Sequence, residues 1–509
     1  MDLSSIDLGP VVNSLSLLTD PKVLGLVLLG NVIGLVFGVL PGISGGQAFV
    51  ILLPLTFGWA PEVALWFLMG MLGATSFGGA MCAILINVPG DTQNAATCFD
   101  GYPMTRRGEA TRALGIAAMA NILGTTFGTI VLVLSFPIMQ AIVLAFGPPE
   151  FFWLSLMGLI MIAIAARGSF LKGLIGGGVG IMLGIIGFSP VLGVGRYTGG
   201  RDYLFDGVQL IALFIGLFAI AQAIDFSVPS KDSTPSSGKF SSWSLLLVGF
   251  RDVLARPGTM LRTALIGTFA GMIPGIGATA ASFISYAVAK QFSKHKKLFH
   301  HGNPEGIIAS EGAVNAKEPG GLLPMLAFGI PGSIEAALVL AALIFHGAQP
   351  GPFLIRDNPG VVWAIVMSLW VSNIFGTLLG ISVCNFLARL TQIPVVYMSP
   401  LILVLSLTGT YLWRQNLWDV FVAIAAGIFG YFFTKAGFSV VTLIIGFLLG
   451  EIAEKAYFQS MQISNGSYAV FFARPSSLVI VAIVALTVVF MLVRHARLRS
   501  TVRGQAAPA

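Results

Sequence analysis

The sequence predicts an all-α polytopic membrane protein made of two inverted-topology repeats. Each repeat carries a re-entrant hairpin and an interrupted helix broken at Pro-Gly, giving about 10–12 membrane segments in all. Three observations lead to that class. Of 509 residues, 56% are hydrophobic and 10% charged, with a mean hydropathy of +0.90, a composition far from that of a soluble chain. Four Pro-Gly pairs, Pro41-Gly42, Pro89-Gly90, Pro274-Gly275 and Pro331-Gly332, interrupt long apolar runs in two matched sets. Corresponding loops of the two halves also differ in charge, as they must if one half is turned over in the bilayer.

Composition excludes several classes of function. The polar connections are too short for a sizeable soluble domain. The net charge of +7 is spread over loops without a basic, aromatic-interleaved stripe, so it reads as topology information and not as a nucleic-acid surface. Cys82, Cys98 and Cys384 lack metal-ligand spacing, and two of them sit in apolar segments as small hydrophobes. Met1 to Asp20 has acids and no basic n-region, so a cleaved signal peptide is not expected.

In chain order, residues 1–22 are an N-terminal segment and residues 23–225 the first transmembrane repeat. Leu24 to Leu40 is apolar, stops at Pro41-Gly42 and resumes as Ala48 to Phe57. Both arms are shorter than the roughly 20 residues of a full crossing, which predicts a re-entrant hairpin with Pro41-Gly42 at its tip. Gly30, Gly34 and Gly38 share a face that another helix can approach closely. A helix from Val63 to Val88 runs into Pro89-Gly90 and the polar stretch Asp91, Thr92, Gln93 and Asn94. The loop Cys98 to Arg112, with Arg106, Arg107 and Arg112, is assigned to the cytoplasm. Apolar segments follow at about 113–135, 137–147, 151–166, 170–189 and 208–224, and Gly176, Gly177, Gly178, Gly180 and Gly184 suit tight packing. Residues 226–243 form a Ser/Pro-rich cytoplasmic linker.

Residues 244–494 repeat the plan: a broken segment from Thr263 to Ala289, a long polar loop to Gly320, a segment interrupted by Pro331-Gly332, then further crossings. A-N-I-L-G-T at Ala120 to Thr125 matches S-N-I-F-G-T at Ser372 to Thr377, a third correspondence in the same order. The turn Gly58 to Glu62 has no Lys or Arg, whereas its counterpart has Lys290, Lys294, Lys296, Lys297 and Lys317. One step later Arg106, Arg107 and Arg112 stand against a single Arg356, so the repeats are inverted in this reading. The basic tail, residues 495–509, is placed in the cytoplasm and the acidic start outside.

An opened backbone turn in lipid persists only where protein, water or a solute satisfies its N–H and C=O groups. A half-helix starting at such a break presents unpaired N–H groups and a positive dipole end, which favour carboxylates without a cationic side chain. The apolar segments carry almost no Arg or Lys. The candidate substrate-binding residues are therefore Pro41, Gly42, Ser44, Gly45, Gly46 and Gln47; Pro89, Gly90, Thr92 and Asn94; Pro274, Gly275, Gly277 and Thr279; and Pro331, Gly332 and Ser333. Helix capping and tight packing are the plainer account of any one of them. Asp91 and Glu335 follow the second break of each half, and an acid at membrane depth needs a partner, a proton or a cation. They are the candidate coupling-ion ligands, for Na⁺ or H⁺, with Asp91 alternatively a helix cap. The stretch His300 to Gly321 reads as a folded cytoplasmic cap, since His300-His301 lacks the helical spacing of a metal pair. No metal and no organic cofactor is called for.

G-V-L-P-G-I-S-G-G, V-P-G-D with A-A-T-C-F-D-G-Y-P-M, G-M-I-P-G-I-G-A-T, and P-E-G-I-I-A-S-E-G-A-V-N-A followed by G-I-P-G together resemble the large membrane subunit of the tripartite tricarboxylate transporters, over roughly residues 20–450. The resemblance implies a multi-pass permease of the bacterial inner membrane that takes up carboxylates such as citrate, driven by a cation gradient. It implies two partners, a small membrane subunit of about four helices and a periplasmic solute-binding protein. It leaves a homo-oligomer open. Ser44-Gly45-Gly46 faces Gly277-Ala278-Thr279 in the second half, so the two tips differ chemically. An elevator-like movement follows by analogy with other hairpin-bearing carriers. The rival readings are a passive anion channel, which the breaks alone would suit, and an intramembrane enzyme, for which the sequence offers no H-E-x-x-H, acid pair or Ser-His arrangement.

Overall fold

The computed structural model describes residues 9–40, 44–165, 170–189, 193–227, 242–273, 277–351, 354–390 and 398–486. Pro41, Gly42, Pro274 and Gly275, most of the linker and the basic tail lie outside them. The chain divides into two compact units, residues 1–141 with 208–436, and residues 142–207 with 437–509.

The first unit begins with α1 (Gly9–Ser16), α2 (Pro21–Val39), α3 (Gly45–Leu52), α4 (Pro61–Ile86), α5 (Cys98–Arg106) and α6 (Ala110–Ala145), whose last residues pass into the second unit. The second unit follows with α7 (Pro148–Ala165), α8 (Phe170–Gly184) and a two-residue hairpin pairing Gly187–Phe188 with Gly195–Arg196. The chain then returns through α9 (Leu210–Phe214), a π-helical stretch over Ile215–Ile220 and α10 (Ala221–Phe226). The second half of the first unit holds α11 (Trp243–Leu254), α12 (Pro257–Met272), α13 (Ala278–Phe292), α14 (Pro304–Phe328), α15 (Ile334–Phe345), α16 (Leu354–Asp357), α17 (Pro359–Ser382), α18 (Cys384–Leu390), α19 (Met398–Arg414) and α20 (Leu417–Lys435). In the second unit α21 (Val440–Ile463) packs on Gly176, Gly180 and Gly184 of α8 through Thr442, Leu443 and Phe447.

Local chemistry sets the helix ends. Asp20 caps α2 by accepting from Lys22 N at 2.8 Å, with Pro21 in the first turn where its missing N–H is harmless. Asn87, at φ 60°, closes α4, and Gly329, at φ 69°, closes α14, both in the left-handed conformation that ends a helix. Among the described residues five helices are long and apolar enough to cross a bilayer: Pro21–Val39, Pro61–Ile86, Ala110–Met139, Pro359–Ser382 and Leu417–Lys435. Large apolar side chains such as Leu29, Phe269, Phe421 and Phe432 point outward, as a lipid-facing surface requires.

Close backbone contact builds the core. A Cβ on Gly30, Gly34 or Gly38 of α2 would collide with the backbone of Phe67, Met71 or Thr75 of α4, so the two helices lie side by side along their length. Gly267 and Gly271 of α12 meet Ala313 and Lys317 of α14 in the same way.

Three expectations are corrected here. The stretch to Gly320 is no polar loop or cytoplasmic cap, because α14 runs through it with Glu311, Asn315 and Lys317 at most 1% exposed. Lys317 therefore does not belong with the loop lysines, and the buried segments do contain a cation. Two physical facts make the helix viable: Lys317 neutralises neighbouring acids, and Pro319, which cannot donate to Asn315 O, is replaced in that bond by Thr125 Oγ1 at 3.4 Å. The segments expected at 113–135 and 137–147 are one helix, α6, which continues through Pro137.

Candidate functional site

Each described break starts a new helical segment, and the way its first turn is capped decides which groups remain available. Ser44 is extended and forms a capping box with Gln47: Ser44 Oγ accepts from Gln47 N at 3.4 Å, and Gln47 Oε1 accepts from Ser44 N at 2.8 Å. Gln47 Nε2 donates to Gln222 Oε1 at 2.6 Å. The side chains of Ser44 and Gln47 are thus engaged, whereas Gly45 and Gly46 carry first-turn N–H groups that have no partner within the helix. At the second break of the second half, Ser333 Oγ accepts from Ala336 N at 3.2 Å and caps α15, with Glu335 in its first turn. A Cβ on Gly46 would lie 3.0 Å from Leu338 and 3.8 Å from Ile334, so the starts of α3 and α15 adjoin.

The other two breaks meet separately. Asp91 caps a short 3-10 turn, Thr92–Asn94, by accepting from Thr92 N. Thr92 Oγ1 lies 3.0 Å from Thr279 Oγ1 at the start of α13, which follows Gly277. Gly90 is jammed against Gly38 O and Gly79 Cα, and Gly332 has only 2.9 Å between a notional Cβ and Gly271 O. These two glycines are required by close packing in equivalent places. Pro41, Gly42, Pro274 and Gly275 lie outside the described residues.

A narrow cleft, about 610 Å³ when the space open to solvent is counted, lies between α3, α4, α14, α15 and α17. Of the predicted residues, Gly45, Gly46, Asp91, Ser333 and Glu335 line it. Ser44, Gln47, Pro89, Gly90, Thr92, Asn94, Gly277, Thr279, Pro331 and Gly332 do not line it. Asn94 is fully buried and donates to Glu311 at 3.2 Å.

Sequence reasoning missed the rest of the wall. Ser76, Asn315, Glu318 and Asn373 line the cavity, with Ser76 Oγ donating to Asn315 Oδ1 at 2.8 Å and Asn373 Nδ2 at 3.4 Å from the same oxygen. Lys317, 1% exposed, reaches Glu335 Oε2 at 2.9 Å and Glu318 Oε1 at 3.2 Å. Three carboxylates, Asp91, Glu318 and Glu335, are thus set against one ammonium. A signal was present: Glu311, Asn315, Glu318 and Leu322 recur at helical spacing and mark one face. Superposing Pro89-Gly90 on Pro331-Gly332 in sequence pairs Met69 with Glu311, Gly73 with Asn315 and Ser76 with Glu318. The same helix face is uncharged in one half and carries two acids in the other.

The sequence profile of the Tripartite tricarboxylate transporter TctA family matches residues 24–445. The chain is 33% identical over 469 residues, covering 92% of its own length and 93% of the relative's, to an uncharacterized 52.8 kDa protein in the TAR-I ttuC' 3' region of Agrobacterium vitis. It is also 34% identical over 209 residues, 41% of its own length and 86% of the relative's, to an uncharacterized protein in the TAR-II ttuC' 3' region of the same organism. No solved structure matches the chain at a significant level. A match across most of the chain, including all four breaks, settles the family: the chain belongs to the tripartite tricarboxylate transporter TctA family and is a multi-pass membrane permease subunit of a transport system, not an enzyme.

Proposed function

We propose that this permease is a secondary active transporter that takes up di- or tricarboxylates such as citrate across the bacterial inner membrane, driven by a Na⁺ or H⁺ gradient. A periplasmic binding protein supplies it, and a small membrane subunit of about four helices completes it. The observation that carries this reading is the cavity into which α3 and α15 both start. Their first-turn amides and dipoles suit a carboxylate, and Gly45 and Gly46 let it reach the backbone.

The charge of the same cavity supports coupling to a cation. When ionised, Asp91, Glu318 and Glu335 outnumber Lys317. Two like charges about 5 Å apart repel by roughly 3 kcal/mol at an effective dielectric of about 20. A substrate anion is therefore accepted only together with protons or cations on those acids, which is symport. Asp91 and Glu335 keep their proposed role as ligands of the coupling ion, now with Glu318 beside them.

Inverted repeats with re-entrant hairpins are the second part of the proposal, and reciprocal packing supports it. Gly90 backs onto Gly38 as Gly332 backs onto Gly271, while α17 packs on α4 through Gly376 and Ala74 as α6 packs on α14 through Gly128 and Ala316. The basic loop regions of the two halves touch, with Arg107 donating to Gly302 O at 2.8 Å and Tyr286 to Asp100 at 2.7 Å. Thr56 and His346, 3.0 Å apart, join the weakly charged loops elsewhere. Equivalent loops thus fall into different groups, as inversion requires. In this reading the hairpins and interrupted helices move as a unit against the remaining helices, an elevator-like step.

Uptake into proteoliposomes containing both membrane subunits and the receptor, with Na⁺ and pH gradients imposed separately, tests the proposal. Accumulation driven by one gradient and trans-stimulated counterflow are expected. Flux without counterflow would indicate a channel.

A further inference from the structure

Behind the cavity wall lies a second group of oxygens that the proposed substrate site does not use. Glu311, in the middle of α14, is fully buried, and among the described residues no Lys, Arg or His pairs with it. Its Oε1 accepts from Asn94 Nδ2 at 3.2 Å and from Thr97 Oγ1, while its Oε2 has no partner. Asn94 and Thr97 are equally buried, and Asn94 Oδ1 is also without a partner. Thr97 Oγ1 lies 2.8 Å from Ser310 Oγ, so one hydroxyl hydrogen faces two acceptors. Asn94 turns its Nδ2 to Glu311 and Ser76 O and its Oδ1 to Gly79, and once that amide is turned over, oxygens outnumber hydrogens around Glu311.

A buried carboxylate without a counter-charge costs several kcal/mol. A proton on Glu311 would add one hydrogen and satisfy one further oxygen. A bare cation satisfies several at once. One carboxylate balances a single positive charge, and neutral amide and hydroxyl oxygens suit a hard alkali ion; no group of three His, Cys, Asp or Glu side chains fit for a transition metal occurs among the described residues.

We propose that Glu311, Asn94, Thr97 and Ser310 form a buried site for one dehydrated Na⁺. The site is tied to the substrate wall from both sides. Asn315 Nδ2 donates to Glu311 O at 2.8 Å while Asn315 lines the cavity, and Asn94 follows Gln93, which lines it too. An ion here draws the Asp91–Asn94 turn onto α14 and fixes the wall before the anion arrives. The inference rests on the reading that uptake is cation-coupled, and it places a coupling ion apart from Asp91 and Glu335.

Binding of radioactive Na⁺ to the purified permease in nanodiscs tests it, using Glu311→Gln and the near-isosteric Thr97→Val, each checked for monodispersity. Saturable binding by the wild type is expected, weakened at least tenfold in Glu311→Gln and about threefold to tenfold in Thr97→Val. Should Glu311→Gln fail to assemble, Thr97→Val and Ser310→Ala carry the test. Wild-type Na⁺ affinity in every assembled variant, or no saturable Na⁺ binding by the wild type, overturns the site and leaves cation-driven uptake standing. Uptake that ignores both imposed gradients overturns the wider reading instead.

Discussion

Replacing Lys317 by Met removes the ammonium that Glu318 and Glu335 share, and its consequence can be worked from the geometry. Lys317 is 1% exposed and bonded at 3.2 and 2.9 Å to two carboxylates that edge the cavity. Removing one partner of a buried ion pair costs about 3–5 kcal/mol, because the remaining charge stays buried and unpaired. Here two carboxylates lose their partner and also face Asp91, but at 19% and 22% exposure both can be hydrated or protonated from the cavity, which puts Lys317→Met at the lower end of that range. Adding Glu335→Gln removes one of the stranded charges, and the double variant should recover about 1–3 kcal/mol. The assay is thermal melting of detergent-solubilised protein followed by fluorescence-detected size exclusion, run as a full double-mutant cycle. A Lys317→Met protein that melts like the wild type, or a double variant whose loss equals the sum of the two single losses, would refute the reasoning.

Other substitutions probe separate links of the account. Gly34→Leu drives a side chain into the Met71 backbone and should cost at least about 1–3 kcal/mol and most of the assembled yield, while Gly25→Ala, with nothing within 4 Å, should leave both unchanged; size-exclusion profiles report the contrast. Asp91→Asn, Ser44→Ala and Thr279→Val should each reduce uptake in proteoliposomes at normal assembled yield, with Ser44→Ala also losing about 1 kcal/mol of helix capping. Unchanged uptake in all three would remove Asp91 from the site and the two helix starts from its support. Asp100→Asn weakens three bonds to a buried carboxylate, from Tyr286 at 2.7 Å and from Gly302 N and Asn303 N at 2.9 Å each. A loss of about 1.5–3 kcal/mol is expected, read as faster proteolysis at residues 293–303.

The sequence shows its breaks more readily than its charges. Ser44, Gly277 and Ser333 mark helix starts because a short polar residue or glycine after Pro-Gly leaves little else for the backbone to do, and Gly30, Gly34 and Gly38 mark a contact face because nothing else fits between two helices at that distance. Glu311 and Glu318 show in the sequence only as a helical spacing, and their pairings, like that of Lys317, stay hidden for the opposite reason. Acids, a lysine and two prolines within one stretch look like a solvated loop until their partners are known. Those partners, Thr97, Asn94, Glu335 and Thr125, lie far away in sequence, and a single chain read locally carries no sign of such pairings. The split of the candidate residues follows the same logic. Ser44 and Gln47 satisfy each other across one turn, which leaves Gly45 and Gly46 to face the cavity.

A cryo-EM map of the assembled system in nanodiscs, with saturating carboxylate and Na⁺, tests the central claim most directly. The account predicts substrate density between the first turns of α3 and α15, within reach of the Gly45 and Gly46 amides. Density for the carboxylate away from both helix starts, with that cavity filled by side chains, would contradict it.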